Sequence, residues 1–287
     1  MTFSAAQTFL FTHARLLERH RFAHLFQDGP ADAVLRALEA YRNADGGYGH
    51  ALEPDGRGPA SQPLATLTAL DILREVGALD EHATSVADYL ASISDAEGAV
   101  PFAVPAGEYP HSPWWQESTE GSLLPTANLA GALASLDHPW VERAEAYCWT
   151  RIEALATSHP YEIRGSLAFL ERAVDRDRAA AAARRLGEIT RSSGFVRLSS
   201  VDGRTPDGYT SGELPFPHEY APTPDSLAAA WFTGEELAEG LDTLLAERED
   251  GGWFPRFLSW TPIVRHEWAG PCTLEALTTL RAHGRAL

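Results

Sequence analysis

The chain contains no lysine, one methionine and two cysteines among its 287 residues. Without a lysine amine, Schiff-base aldolases, pyridoxal-phosphate enzymes and P-loop nucleotide hydrolases are excluded. Cys148 and Cys272 are too few and too far apart to found a disulfide framework, which fits a reducing compartment. No uninterrupted apolar run approaches the roughly 18 residues of a membrane span. The opening stretch, MTFSAAQTFLFTHARLL, lacks a basic leader and runs into Arg and His instead of a cleavage site. It reads as the first helix of a cytoplasmic protein. Basic side chains are also scarce: 23 against 40 acidic ones leaves a formal charge of −17. That field repels nucleic-acid phosphates and anionic lipid headgroups, so a small molecule is the expected partner.

What the chain does have is 44% hydrophobic and 10% aromatic residues, enough for one globular domain over 1–287. Apolar residues recur at helical spacing almost throughout, and no segment alternates for more than a few residues, so the expected class is all-α. Eleven helices are predicted, at 4–26, 31–43, 62–76, 81–94, 124–136, 138–155, 161–174, 177–192, 223–232, 234–247 and 271–284. A phrase returns between them: a turn with Gly and an aromatic, a loop, then Pro opening an apolar helix. It reads ADGGYGH…SQPLATLTALDIL, AEGAVPF…LLPTANLAGALASL, SSGFVRL…APTPDSLAAAWF and DGGWFPRF…AGPCTLEALTTL. The turn glycines are taken as Gly47, Gly98, Gly194 and Gly252, and the opening prolines as Pro63, Pro125, Pro224 and Pro271. Gly suits the left-handed residue after a helix, and Pro suits a first helical turn whose N–H has no partner. Between Gly98 and Gly194 a copy near 140–174 has lost this punctuation. Hairpins repeated five or six times must stack to bury their apolar stripes. Closure into an α/α toroid of inner and outer helices is expected, with 4–26 pairing with 271–284.

The segments DGGYGHALEPDGRGPASQPLATLTAL and DGGWFPRFLSWTPIVRHEWAGPCTLEALTTL resemble the repeat of the terpenoid cyclase and protein prenyltransferase superfamily, the squalene-hopene cyclases among them. The GHALEPD phrase is also similar to one in small bacterial proteins, a branch of the same kind. The resemblance implies a central cavity for an apolar or isoprenoid-like substrate. Two departures stand out. Neither the Asp-x-Asp-Asp acid motif nor the Asp-Asp-x-x-Asp magnesium motif of such cyclases occurs, and no Asp stands two residues before Cys272, as the prenyltransferase zinc site would require.

The loops between each Gly turn and the next helix are long, and loops of that length are usually functional. The first holds His50, Glu53, Asp55 and Arg57; the second holds His111, Trp114, Trp115, Gln116 and Glu117. A later loop holds His218, Glu219 and Tyr220, with Asp225 beyond, and the last holds Arg256, Trp260, His266, Glu267 and Trp268. The degenerate copy offers His159, Tyr161 and Glu162. A His beside a carboxylate at each loop suits proton transfer, because imidazole titrates near neutrality and burial raises carboxyls. The expected catalytic set is therefore His50, Glu53, Asp55, His218, Glu219, His266 and Glu267, with Glu53 or Asp55 as general acid. Arg57, Trp114, Trp115, Tyr220, Trp260 and Trp268 are expected to contact substrate. Against this stand plainer roles: Asp225 and Glu275 as caps or dipole partners, Trp253 and Trp268 as packing residues. No cofactor is expected. His218, His266 and Cys272, with His50, are the side chains able to hold zinc if the fold gathers them, but the chain is read as having no His-x-x-x-His pair or Cys-x-x-Cys in support. Two rival readings remain: a carbohydrate-active enzyme on an α/α barrel, and a non-catalytic binding or scaffold protein.

Overall fold

The computed structural model describes residues 3–199, 203–206 and 209–287. Among them are twelve α-helices, no strand, and isolated β-bridges such as Arg42 with Tyr48, Gly56 with His111, Ala103 with Glu117 and Glu249 with Gly252. The helices are α1 (Phe3–His13), α2 (Leu16–Gln27), α3 (Ala31–Glu39), α4 (Pro63–Glu75), α5 (Leu79–Ile93), α6 (Leu123–Ala132) and α7 (Pro139–Ala154). Then come α8 (Pro160–Leu170), α9 (Arg176–Ser193), α10 (Pro217–Tyr220), α11 (Gly234–Ala246) and α12 (Pro262–Ala282). The all-α class is as the hydrophobic period requires. Contacts divide the chain into two compact units, one of Met1–Pro30, Thr157–Pro160 and Ala183–Leu287, the other of Ala31–Ala156 and Tyr161–Ala182.

In the second unit α4 packs against α5 and α6 against α7, as hairpins joined by short connections. In addition α4 packs against α6, and α5 against α7. Neighbouring hairpins therefore stack with first helix on first helix and second on second, a two-layer order. In the first unit α1 and α2 pack against each other and against α12, around a core that includes Leu10, Phe22, Leu244, Trp253, Leu277 and Leu280.

One hydrogen bond recurs in three copies of the repeat and explains their shared geometry. The Tyr48 N–H donates to Thr66 Oγ1 (3.1 Å), the Val100 N–H to Thr126 Oγ1 (2.9 Å) and the Trp253 N–H to Thr273 Oγ1 (3.0 Å). These pairs are 18, 26 and 20 residues apart, so the loop between varies while its base does not. Just before each anchor a turn closes on the preceding carbonyl: Asn43 to Gly47 (2.9 Å), Asp95 to Ala99 (3.0 Å) and Glu249 to Gly252 (2.9 Å). All three threonines are buried, where an unpaired N–H costs about 1–3 kcal/mol. The degenerate copy has Ile163 as the fourth residue of α8, where α4 and α6 have Thr66 and Thr126.

Several boundaries differ from expectation. The left-handed turn residues are Gly46, Gly98, Gly194 and Gly251; Gly47 and Gly252 are instead needed for close approach, since a Cβ on Gly252 would stand 2.3 Å from the Phe9 ring. The predicted helix 4–26 breaks at Ala14–Arg15 with neither Gly nor Pro to mark it. Arg15 turns extended, and its guanidinium grips Glu18, only 1% exposed, through two hydrogen bonds of 3.0 and 2.7 Å. The predicted helix 223–232 reduces to a 3-10 turn, Leu227–Trp231, because Pro222 and Pro224 precede it and Thr233 already caps α11. Pro217, not Pro224, opens a helix in that copy. The last helix starts nine residues before Pro271, at Pro262 behind the Thr261 cap, so Pro271 lies in its interior and Glu275 is far from any end. Glu275 is thus no cap, and exposed Asp225 lies in a turn outside any helix.

Replacing Thr126 by near-isosteric valine is expected to lower stability by about 1–3 kcal/mol, seen as a lower urea midpoint at unchanged slope. A second expectation concerns α7, where burial pushes the Glu145 carboxyl above its ordinary range. The folded chain then holds that proton more tightly than the unfolded one. The associated stability is full below the ordinary carboxyl range and is lost as pH rises through the folded value. Glu145→Gln, which cannot ionise, is expected to lose less stability than the natural chain between about pH 4 and about pH 7, measured by urea unfolding at both.

Candidate functional site

In the second unit the first two long loops lie against each other beside the first turns of α4 and α6. Gln62, the residue before α4, uses its side chain as a strand-like partner: Oε1 accepts from the Val104 N–H and Nε2 donates to the Val104 carbonyl, both at 3.0 Å. Further along, the Arg57 N–H donates to Pro110 O (3.0 Å) and the Ser112 N–H to Asp55 O (2.8 Å), with a bridge between Gly56 and His111. The loops also interlock through side chains. A Cβ on Gly56 would stand 2.9 Å from the Trp115 indole, and Trp115 in turn meets Phe102 edge-on at 6.1 Å.

This frame holds two carboxyls out of water. Glu53 is 8% and Asp55 5% exposed. The Trp114 indole N–H donates to Asp55 Oδ2 at 2.9 Å, across 59 residues of sequence, and Glu53 Oε2 accepts from the Asp55 backbone N–H at 3.0 Å. Both oxygens are therefore fixed in direction. Of the residues expected here, Trp114 orients an acid and Trp115 is a buried packing residue. His50 faces solvent in a left-handed conformation (φ 56°), its Nε2 against Asn43 Oδ1 at 3.0 Å. It shapes the loop. His111, Gln116 and Glu117 are exposed, and Glu117 accepts from the Ala106 N–H (3.0 Å). Arg57 is half-buried.

The remaining expected residues belong to the first unit. His218 is buried and stacked on Phe216, with ring centroids 5.7 Å apart and planes 12° off parallel. Glu219 is engaged twice, accepting from the Phe216 N–H (2.8 Å) and pairing with Arg256. Arg256 also donates to Leu214 O (3.3 Å), lies 3.9 Å from Glu247 and stacks on Phe216, whose ring carries Arg197 as well. Glu247 was not among the expected residues; burial is the largest influence on its carboxyl and pushes it upward against the pull of Arg256. Tyr220 is buried, donating to Phe195 O at 2.6 Å. His266 is exposed, Glu267 half-buried, and Trp268 meets Phe257 edge-on at 5.4 Å. The indole N–H groups of Trp260 and Trp268 are buried without a hydrogen-bond partner among the described residues. In the degenerate copy, His159 Nδ1 lies 3.0 Å from the Tyr209 hydroxyl.

Among the described residues no three His, Cys, Asp or Glu side chains gather as metal ligands do. Burial pushes the Cys272 thiol above its ordinary range. Against the reading that the chain has no His-x-x-x-His pair, His20 and His24 in α2 have that spacing; the His24 ring is turned onto Gly29 O (3.0 Å). Removing the donor that orients Asp55, by Trp114→Phe, is expected to cost about 0.5–1.5 kcal/mol in urea unfolding, the usual net worth of a hydrogen bond. No protein-family model matches the chain, and no curated protein matches it in sequence.

Proposed function

We propose that the protein is an acid/base enzyme of the α/α-toroid kind, with a single domain of stacked hairpins, acting on a small apolar or isoprenoid-like molecule. The two-layer order of α4 to α7 and the packing of α1 on α12 support such a fold. The observation that carries the functional reading is the pair Glu53 and Asp55, buried on a loop with Asp55 held by the Trp114 N–H. Removing carboxyls from water is unfavourable unless they are bonded or employed, and buried, oriented carboxyls are what proton transfer to or from carbon requires. In this reading one of the two delivers a proton to an alkene, its conjugate base takes one back from the resulting cation, and aromatic rings stabilise the positive charge between the two events. In this reading the proton moves through the carboxyls, and His50, paired with Asn43, His218, stacked on Phe216, and exposed His266 on α12 take no part in its transfer.

A carbohydrate substrate is the second reading. Tyr109 favours it: half its surface is exposed, and its ring carbons lie about 3.3 Å from where a Cβ on Gly58 would stand, so an open aromatic face borders the acid-bearing loop.

Turnover of squalene and farnesol, followed by mass spectrometry of the products, tests the first reading, with hydrolysis or elimination of neutral and acidic oligosaccharides as the second arm. Glu53→Gln and Asp55→Asn are each expected to lower turnover by roughly 10²–10⁴-fold, the usual contribution of a positioned acid or base, while both variants stay folded. Full activity in the double variant overturns the assignment.

A further inference from the structure

Four rings from α1, α12 and the segment before α12 form a closed array in the first unit. Phe9 and His13 have centroids 5.0 Å apart, His13 and His266 6.2 Å, His266 and Phe254 5.6 Å, and Phe254 and Phe9 5.5 Å. The two phenylalanines form the inner edge: Phe9 is buried in the core and lies against Gly252. The two imidazoles form the outer edge, and both are exposed. Their planes are 26° off parallel. The Phe254 ring also carries the Arg265 guanidinium at 3.9 Å, whose charge is met by Glu249 at 2.8 Å.

We propose that His13 and His266 form a two-imidazole site for a late divalent transition-metal ion such as Ni²⁺ or Zn²⁺, linking the first helix of the chain to the last. Imidazole is the protein ligand these ions share. Each imidazole rests against a phenylalanine, His13 on Phe9 and His266 on Phe254, which keeps the two rings side by side. Metal–nitrogen bonds of about 2.0–2.1 Å require the two ring edges to swing together, a motion open to side chains at the solvent edge. Water completes the coordination. Both ligands must be neutral, so binding releases whatever protons they hold. An ion bound to the folded chain alone stabilises it by mass action. The site uses neither Glu53 nor Asp55 and does not depend on their role.

The test is thermal unfolding of tag-free protein in NiCl₂, ZnCl₂, MgCl₂ or chelator, with His13→Ala, His266→Ala and, as the competing spaced pair, His20→Ala. At about five times its dissociation constant, nickel is expected to raise the midpoint by roughly 2 °C, zinc likewise, and magnesium not at all. His13→Ala and His266→Ala are each expected to abolish the rise, and His20→Ala to keep it. Isothermal titration should show at least a tenfold weaker association in either of the first two variants. No rise in the natural chain, a rise that survives loss of His13 or His266, or one removed by His20→Ala overturns the proposal.

Discussion

Three threonine hydroxyls, each accepting a backbone N–H from the turn that precedes its helix, set the frame on which the rest depends. The bond joins two points that the loop would otherwise leave free, and it does so in the buried layer, where water cannot substitute. Because the turn is closed a second time by its own backbone, the segment between turn and helix becomes a tethered excursion from a fixed base. Helix stacking in the second unit then aligns two such bases, and the excursions meet. The pairing of the loops at Gln62, Arg57 and Ser112 follows from that alignment.

The buried carboxyls show what the frame accomplishes. A loop with Pro54, Gly56 and Gly58 has little side-chain bulk of its own with which to cover Glu53 and Asp55. Cover comes from the second loop, where Trp115 fills the space beside Gly56 and Trp114 reaches Asp55. The acids are thus a property of two repeats acting together. In the first unit, by contrast, Glu219 is committed to Arg256 and to the backbone before α10, and the neighbouring carboxyl with altered ionisation is Glu247, which faces Nε of the same arginine.

Much of the architecture was legible from periodicity because α3 to α9 and α11 are amphipathic or buried segments of ordinary length with turn residues between them. The failures have physical causes. The break at Arg15 depends on an ion pair with a residue three positions on, which no period reveals. The helix Pro217–Tyr220 is too short to have a period, and Pro271 misled because a proline that can open a helix also occurs inside one when its start is fixed upstream by Thr261. At the site, the GHALEPD cluster was visible as a concentration of ionisable groups, whereas the partnership of Asp55 with Trp114 spans 59 residues and needs the fold. The four-ring array joins opposite ends of the chain and has no local signature; the nearby His20–His24 spacing has one.

The tethered loops carry an evolutionary consequence. When closure is fixed at the base, lengthening an excursion costs only the slow, logarithmic rise of loop entropy, and the three anchored spans of 18, 20 and 26 residues already sample that freedom. A scaffold of this kind can exchange the chemistry of one rim segment for another by grafting between a turn glycine and its threonine, without renegotiating how the hairpins lie.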